Sequence, residues 1–519
     1  MAGRAHRRPW DSFDAWGKRL DRKAREARTA MAAASDYGTW REAAEMLDSL
    51  EDGDEWKARD TSSLFDWRLI RSRLRQIRSL RAAGSMHALA HHLRQGLHWN
   101  LGNIGNPHLY GRACVGTKQL IADYVTEVCA ALEEICDCIE STEFPLGEKL
   151  RFFRETAQSY GRSALMLSGG ATLGLFHVGV VKALYRENLM PVVMSGSSAG
   201  SVVAATVGTR PLEEVEQLLD PEAAYYNFWR VLKPLQMWRR GAIMDQSQLR
   251  RAIAKNVRDL SFDEAYRTSG RIVNITVSPA GQNQPPRLLN HITFPYLYLR
   301  EAVLASCAVP VIFPPVMLMT RNEAGEREPW MPLLRWNDGS LKSDLPMLRL
   351  RRLHNVNHFI VSQTNPHVIP FVSRSEPGTR GLFHGARTYA GATLRSQASG
   401  LLKLARAAVP IRRLGHSIDA ATSILDQDYR GNINIFPENS LWRFANVTRN
   451  PNLADVQRFM LEGERAAWPR IEMIRTQTAI AQTLDRCVER LEGRKLATQA
   501  PLGTRRFGLR LVRRGQDAA

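Results

Sequence analysis

Over the first 150 residues apolar positions recur every three or four residues between charged ones, the spacing of one face of a helix. In "DSFDAWGKRLDRKAREARTAM" Phe13, Trp16 and Leu20 form one stripe ringed by lysines and arginines. In "LFDWRLIRSRLRQIRSLRAAG" Leu69, Ile70, Leu74, Ile77 and Leu80 stand between arginines. "LIADYVTEVCAALEEICDCIE" (120–140) keeps the same spacing and predicts a helix with one face in a core. "NLGNIGNPHLYG" between these segments is rich in glycine and proline and predicts a loop. The basic stripe around Trp16 suits a helix lying in a membrane interface or one docked on its own protein. The arginine-rich segment reads as a solvated face, because no nucleic-acid reader module accompanies it.

At Ser163 the pattern changes. "SALMLSGG" is a short apolar run closed by glycines, the mark of a buried strand, and "TLGLFHVGVVKALYREN" returns to helical spacing. "MPVVMSG" and "AGSVVAATVGTR" repeat the pair, and "RIVNITVSP" (271–279) and "HFIVSQTNP" (358–366) are further strands. Strands alternating with helices predict an α/β fold, a mostly parallel central sheet flanked by helices. Residues 380–425 read as helical, basic and apolar, 452–494 as one or two long helices, and "RRFGLRLVRRGQDAA" as a basic tail. The expected organisation is an N-terminal helical extension over 1–155, an α/β domain over 160–370, and a C-terminal helical region with a basic tail over 371–519.

The chain has 519 residues, with 71 lysines and arginines against 52 acids, a formal charge of +19. That balance favours anionic partners such as a lipid surface. The six cysteines form no paired CxxC, and Cys136-Asp-Cys138 inside a helical pattern reads as packed thiols rather than metal ligands. The first twenty residues lack the apolar run of a secretory signal, and no unbroken apolar stretch reaches the roughly 18 residues of a spanning helix. The expectation is an intracellular, cytoplasmic protein with reduced thiols.

Candidate chemistry lies where strands hand over to helices. Gly196-Ser197-Ser198-Ala199-Gly200 fits G-x-S-x-G, a weak motif alone, but Gly196 and Gly200 permit the tight turn that presents a hydroxyl at a helix N-terminus. "SGGATLG" (168–174) closes the preceding strand in the same way. It lacks the Gly-Lys-Ser/Thr of a phosphate loop, and Ala171 stands at the third position of a G-x-G-x-x-G dinucleotide loop, so amide donors for a tetrahedral oxyanion are the economical reading. A serine also needs a base. Asp338, in "LLRWNDGSLKSDLPM", precedes a glycine, with Asp344 as a competitor. His177, His291, His354, His358 and His367 lie in the same region, none in a triad setting, and His177 is expected to pack under the sheet.

Together "SGGATLGLFHVGVVKAL", "GSSAG", the S-x-A-x-P segment in "LASCAVPVIFPPV" (304–316) and "DGS" resemble the patatin-like phospholipases over about 163–370. "LRQGLHWNLGNIGNPHLYG", "GTKQLIADYVTEV" and "DLPMLRLRRLHNVNHFIVSQTNPHV" are similar to the subgroup of storage-lipid triacylglycerol lipases that carry a helical extension. The departures are Ala171 in place of a loop glycine and Ser340 after Asp-Gly. The resemblance implies a three-layer α/β/α sandwich. It also implies a Ser198–Asp338 dyad, an oxyanion hole from Gly169, Gly170 and Ala171 in the loop closed by Gly174, and no metal or organic cofactor. The activity implied is hydrolysis of fatty-acyl esters of triacylglycerol or phospholipid through an acyl-enzyme. Acyl transfer by the same intermediate, or a non-catalytic lipid-binding scaffold, are the alternatives. The implied partners are the lipid substrate and a membrane or lipid-droplet surface held peripherally, with no nucleic acid. The aromatic and basic run "YYNFWRVLKPLQMWRR" (225–240) suits a headgroup-level interface or a cap over the core.

Overall fold

The computed structural model describes residues 9–141, 144–281, 284–365, 430–437 and 448–499. The chain divides into two compact units. The larger comprises Met1–Arg59, Asn106–Thr117 and Arg162–Arg475, and the smaller Asp60–Gly105, Lys118–Gly161 and Thr476–Ala519.

The larger unit is organised on short strands: β1 Arg162–Leu167, β2 Val193–Gly196, β3 Ile272–Pro279, β4 Arg287–Leu289, β5 Met319–Arg321, β6 Arg327–Pro329, β7 Trp336–Asp338, β8 Val356–Ser362 and β9 Ile433–Ile435. Among the described residues seven of them form one sheet in the order β4-β3-β2-β1-β8-β9, with β7 also on β3, while β5 and β6 form a separate hairpin. β3, β2, β1, β8 and β9 run parallel, and β4 and β7 pair antiparallel with β3. Every residue of β2 and β3 is buried. A parallel sheet covered on both faces has no wet side, so the polar residues of β3, Asn274, Thr276 and Ser278, are buried along with the apolar ones.

Two packing layers follow. Ala164, Met166, Val193, Ile272, Phe359 and Val361 form one cluster. A second gathers Leu173 and Leu175 with Val456, Phe459 and Met460 of the helix Leu453–Ala467. Lys182, on the helix Leu175–Arg186, reaches Glu464 at 2.7 Å across this contact. Helices Pro9–Ala33 and Tyr37–Leu50 also belong to this unit and share a small core of Ala24, Ala27 and Leu47.

The smaller unit is helical, with Trp67–Ala82, Met86–Gly96, Gln119–Asp137 and Leu146–Tyr160 packed together. Ile70, Leu74 and Ile77 are buried, as the spacing predicts. Arginines near the end of Trp67–Ala82 find acids on the helix Gln119–Asp137: Arg78 meets Glu127 at 3.0 Å, and Arg81 pairs with both Glu127 and Glu134.

The predicted helical extension, mostly parallel sheet and helices after residue 452 are all present. The three-residue strands β4, β5, β6, β7 and β9 were not anticipated, since three residues carry no measurable alternation. The side chains of Phe13, Trp16 and Leu20, the helical reading of 380–425 and the basic tail lie outside the described residues. Among the described residues no helix is long and apolar enough to cross a membrane.

Candidate active site

β2 ends at Gly196 and the helix Ala199–Gly208 begins three residues later. Ser198 makes the turn at φ 49°, ψ −121°, outside the regions that a residue with a side chain ordinarily occupies. Such a conformation persists only where its surroundings hold it. Here the Ser198 amide donates to Ser306 Oγ at 3.0 Å, the Gly200 amide to the Ser168 carbonyl at 3.2 Å, and Ser201 Oγ to the Ser198 carbonyl at 2.6 Å. The flanking glycines are required by close approach. A Cβ on Gly196 would fall 2.4 Å from the Gly200 carbonyl oxygen, and one on Gly200 would fall 2.1 Å from that of Leu167. Ser306 opens the S-x-A-x-P segment, so that motif supports the elbow from below.

Asp338 ends β7, opposite Val277 of β3, and its amide donates to the Ala308 carbonyl at 3.0 Å. The antiparallel β7 thus delivers a carboxylate to the end of the sheet where the parallel strands finish. Asp338 Oδ1 accepts from the Ser340 amide at 2.7 Å, while Oδ2 has no hydrogen bond. Burial raises the Asp338 pKa to about 6, against the lowering pull of Ser340 and of the nearby Ser198 hydroxyl. The Ser198 hydroxyl makes no hydrogen bond to Asp338 Oδ2. Catalytic hydrogen bonds are often long without substrate and tighten only around it. Ser198 and Asp338 line one cavity of about 280 Å³, whose walls include Val178, Val202, Leu218, Leu249, Ile312 and Phe313.

The loop 168–174 completes the cavity rim, with Gly169, Gly170, Ala171 and Gly174 all lining it. The Gly169 amide is occupied, donating to Asp344 Oδ1 at 2.9 Å. Among the described residues no acceptor meets the amides of Gly170, Ala171 or Ala199. Ala171 sits at φ 49°, the left-handed region that favours the glycine it replaces. Gly174 packs against the Ala199 side chain.

Asp344, the competing carboxylate, is buried behind the loop rather than lining the cavity. Burial raises its pKa to about 7, and the Asp338 charge adds to the rise. His177 is fully buried, and its ring contacts Ser168 of that loop together with Ser362 and Thr364. Its Nε2 faces the Ser168 carbonyl at 3.0 Å, which can only accept, so Nε2 carries the proton and Nδ1 accepts from Ser362 Oγ at 2.7 Å. Thr364 Oγ1 lies 3.0 Å from Nε2 and donates to the Gly169 carbonyl at 3.2 Å. Burial lowers the His177 pKa to about 4, so the ring stays neutral and holds the loop.

The other histidines are engaged elsewhere. His354 Nε2 meets Asn274 Oδ1 at 2.8 Å, His358 Nδ1 meets Ser163 Oγ at 2.9 Å, and His291 stacks on Tyr266. His367 lies outside the described residues. Among the described residues no histidine lines the cavity, and no cluster of His, Cys, Asp and Glu could hold a metal ion. Sequence reasoning missed the supporting roles of Ser306 and Thr364 and the free amide of Ala199. The S-x-A-x-P segment was a visible signal for the first, and nothing marked Thr364.

Known proteins share much of this sequence. A family model described as patatin-like phospholipase matches residues 165–350, and a domain of unknown function (DUF3336) matches 17–158. Triacylglycerol lipase SDP1L of Arabidopsis thaliana is 35% identical over 89% of this chain and 58% of its own length. Triacylglycerol lipase 4 of Saccharomyces cerevisiae is 33% identical over 90% of this chain and 53% of its own. The chain thus spans little more than half of these two relatives. Triacylglycerol lipase ptl3 of Schizosaccharomyces pombe, 33% identical, is matched over 88% of this chain and 95% of its own length. With that extent of identity, and with the patatin-like phospholipase model matching residues 165–350, the chain belongs to the patatin-like phospholipase family.

Proposed function

We propose that this chain is a serine lipid acyl hydrolase that cleaves fatty-acyl esters of triacylglycerol or phospholipid at Ser198 and Asp338. The observation that carries the reading is the meeting of a strained serine, a partnerless carboxylate oxygen and free amides in one apolar cavity. The names of the relatives, triacylglycerol lipases, point the same way.

Ser198 Oγ attacks the ester carbonyl carbon while Asp338 Oδ2 takes its proton, and the carbonyl electron pair moves onto oxygen. Amides of Gly170 and Ala171, in the loop anchored through Gly169, meet that oxyanion, with Ala199 completing the set. Each essential donor contributes roughly 3–4 kcal/mol in a site from which water is excluded. Collapse of the intermediate breaks the ester C–O bond, and the departing alcohol takes the proton back from Asp338. Water, deprotonated by Asp338, then attacks the acyl carbon; collapse of that intermediate breaks the bond to Ser198 Oγ, which takes the proton back from Asp338, and the fatty acid leaves. A carboxylate is a weak base in water, and its burial here brings the pKa into a useful range. Substrate reaches the cavity from a membrane or lipid-droplet surface to which the protein binds peripherally.

The test uses purified protein with emulsified triacylglycerol and phospholipid, and a fluorophosphonate probe. Fatty acid should be released, the probe should attach at Ser198, and Ser198→Ala and Asp338→Asn should each remove release while remaining folded. Unchanged turnover in either variant rejects the dyad, and failure of the probe to attach rejects a catalytic serine.

A further inference from the structure

Three chain segments lie side by side next to the cavity. The Leu232 amide donates to the Ile243 carbonyl at 3.0 Å, and the amides of Ile243 and Met244 donate to the carbonyls of Val311 and Ile312 at 3.2 and 2.9 Å. Between the first two segments the chain makes the short helix Pro234–Arg240. This arrangement leaves large apolar side chains in the open: Val231 is 62% exposed, Leu235 64%, Trp238 83%, Ile243 41% and Val311 70%. Leu235 and Trp238 are three residues apart and share one helix face. A lone exposed apolar residue is ordinary, but five on linked segments mark a binding surface.

The chemistry of the rim says what binds. Lys233, Arg239 and Arg240 are exposed beside these residues. Arg230 and Arg240 are turned towards Asp245, whereas Lys233 and Arg239 pair with no carboxylate among the described residues. A tryptophan and aliphatic side chains flanked by unpaired cations complement the acyl boundary and the anionic headgroups of a phospholipid layer.

The patch is also tied to the site. Val231 follows Trp229 by two residues and Val311 adjoins Ile312, and Trp229, Ile312 and Phe313 line the cavity. Trp229 stacks on Phe313 with ring centres 5.9 Å apart, and its Nε1 donates to Thr172 Oγ1 of the amide loop at 2.9 Å. Val311 itself is held at φ 73°, a conformation that a β-branched residue rarely takes.

We propose that Val231, Leu235, Trp238, Ile243 and Val311, with Lys233 and Arg239, form the face that docks on anionic phospholipid and brings the cavity to the lipid layer. The inference rests on the lipid-hydrolase reading for its purpose but is measured without catalysis. Ser198→Ala protein is floated with phosphatidylcholine vesicles, with and without phosphatidylserine, in low and high salt. Binding should be stronger with phosphatidylserine and weaken with salt. Leu235→Ser with Trp238→Ala should cut it at least about tenfold, with thermal unfolding unchanged. Lys233→Glu with Arg239→Glu should remove the preference for phosphatidylserine. Equal binding by the first double variant, an unaltered lipid preference in the second, or no vesicle binding by the parent protein would each overturn the proposal. Fluorophosphonate labelling of wild-type protein reads the hydrolase separately, so either reading can fail while the other stands.

Discussion

Replacing Asp338 by asparagine should make the protein's stability less sensitive to pH, and the size of the effect follows from the burial of this one carboxyl. Its pKa is raised from 3.8 to about 6 in the folded protein, with burial as the main cause. A group with a raised carboxyl pKa binds more protons folded than unfolded across that interval. Stability from this source is therefore complete below about pH 4 and is lost as pH rises through about 6. A rise of that size corresponds to about 3 kcal/mol held against the ionised form. The asparagine side chain carries no charge and escapes that loss. Its NH2 group, if placed where Oδ2 now lacks a partner, costs about 1–3 kcal/mol, but that offset does not depend on pH. The informative quantity is thus a difference of differences: urea unfolding of both proteins near pH 4 and near pH 8, with the variant gaining about 3 kcal/mol relative to wild type between them. Asp344 titrates in both proteins with the same sign. Its pKa falls somewhat when the Asp338 charge is gone, which modestly enlarges the variant's advantage. In the wild-type enzyme kcat/KM should fall on the acid side with a midpoint near pH 6, because the base must be ionised. An unchanged stability difference at the two pH values, or full activity well below that midpoint, would refute the assignment of a buried, raised carboxylate as the base.

Other substitutions test the loops around it. Ala171→Gly removes a side chain at φ 49° and should stabilise the fold by about 1 kcal/mol in urea unfolding, with activity retained. Gly200→Ala places a Cβ 2.1 Å from the Leu167 carbonyl oxygen, so the elbow must shift; stability should fall by at least about 3 kcal/mol, read from urea unfolding or from the yield of folded protein. Asp344→Asn keeps an acceptor for the Gly169 amide whereas Asp344→Ala does not. The alanine variant should therefore lose about tenfold or more in kcat and the asparagine variant much less.

The sheet was legible because its central strands are buried, and β1, β2, β3 and β8 each overlap a short apolar-rich segment of the sequence. β7 was not legible as a strand, although it carries Asp338. Trp336-Asn337-Asp338 is too short for a pattern, and what places it is its pairing with β3, far earlier along the chain. The candidate dyad could therefore be named from motifs, while the strand pairing that carries Asp338 to the end of the sheet could not. A similar division runs through the amide loop. Glycines in "SGGATLG" announce exposed amides, but which amides remain free depends on partners far away in sequence. Asp344 takes Gly169, and Thr364 and His177 hold the carbonyls of Gly169 and Ser168. Local spacing reports what a loop can offer. Only the tertiary hydrogen bonds decide what it has left to offer, and among the described residues they leave the amides of Gly170 and Ala171, in a loop that lines the cavity, without an acceptor.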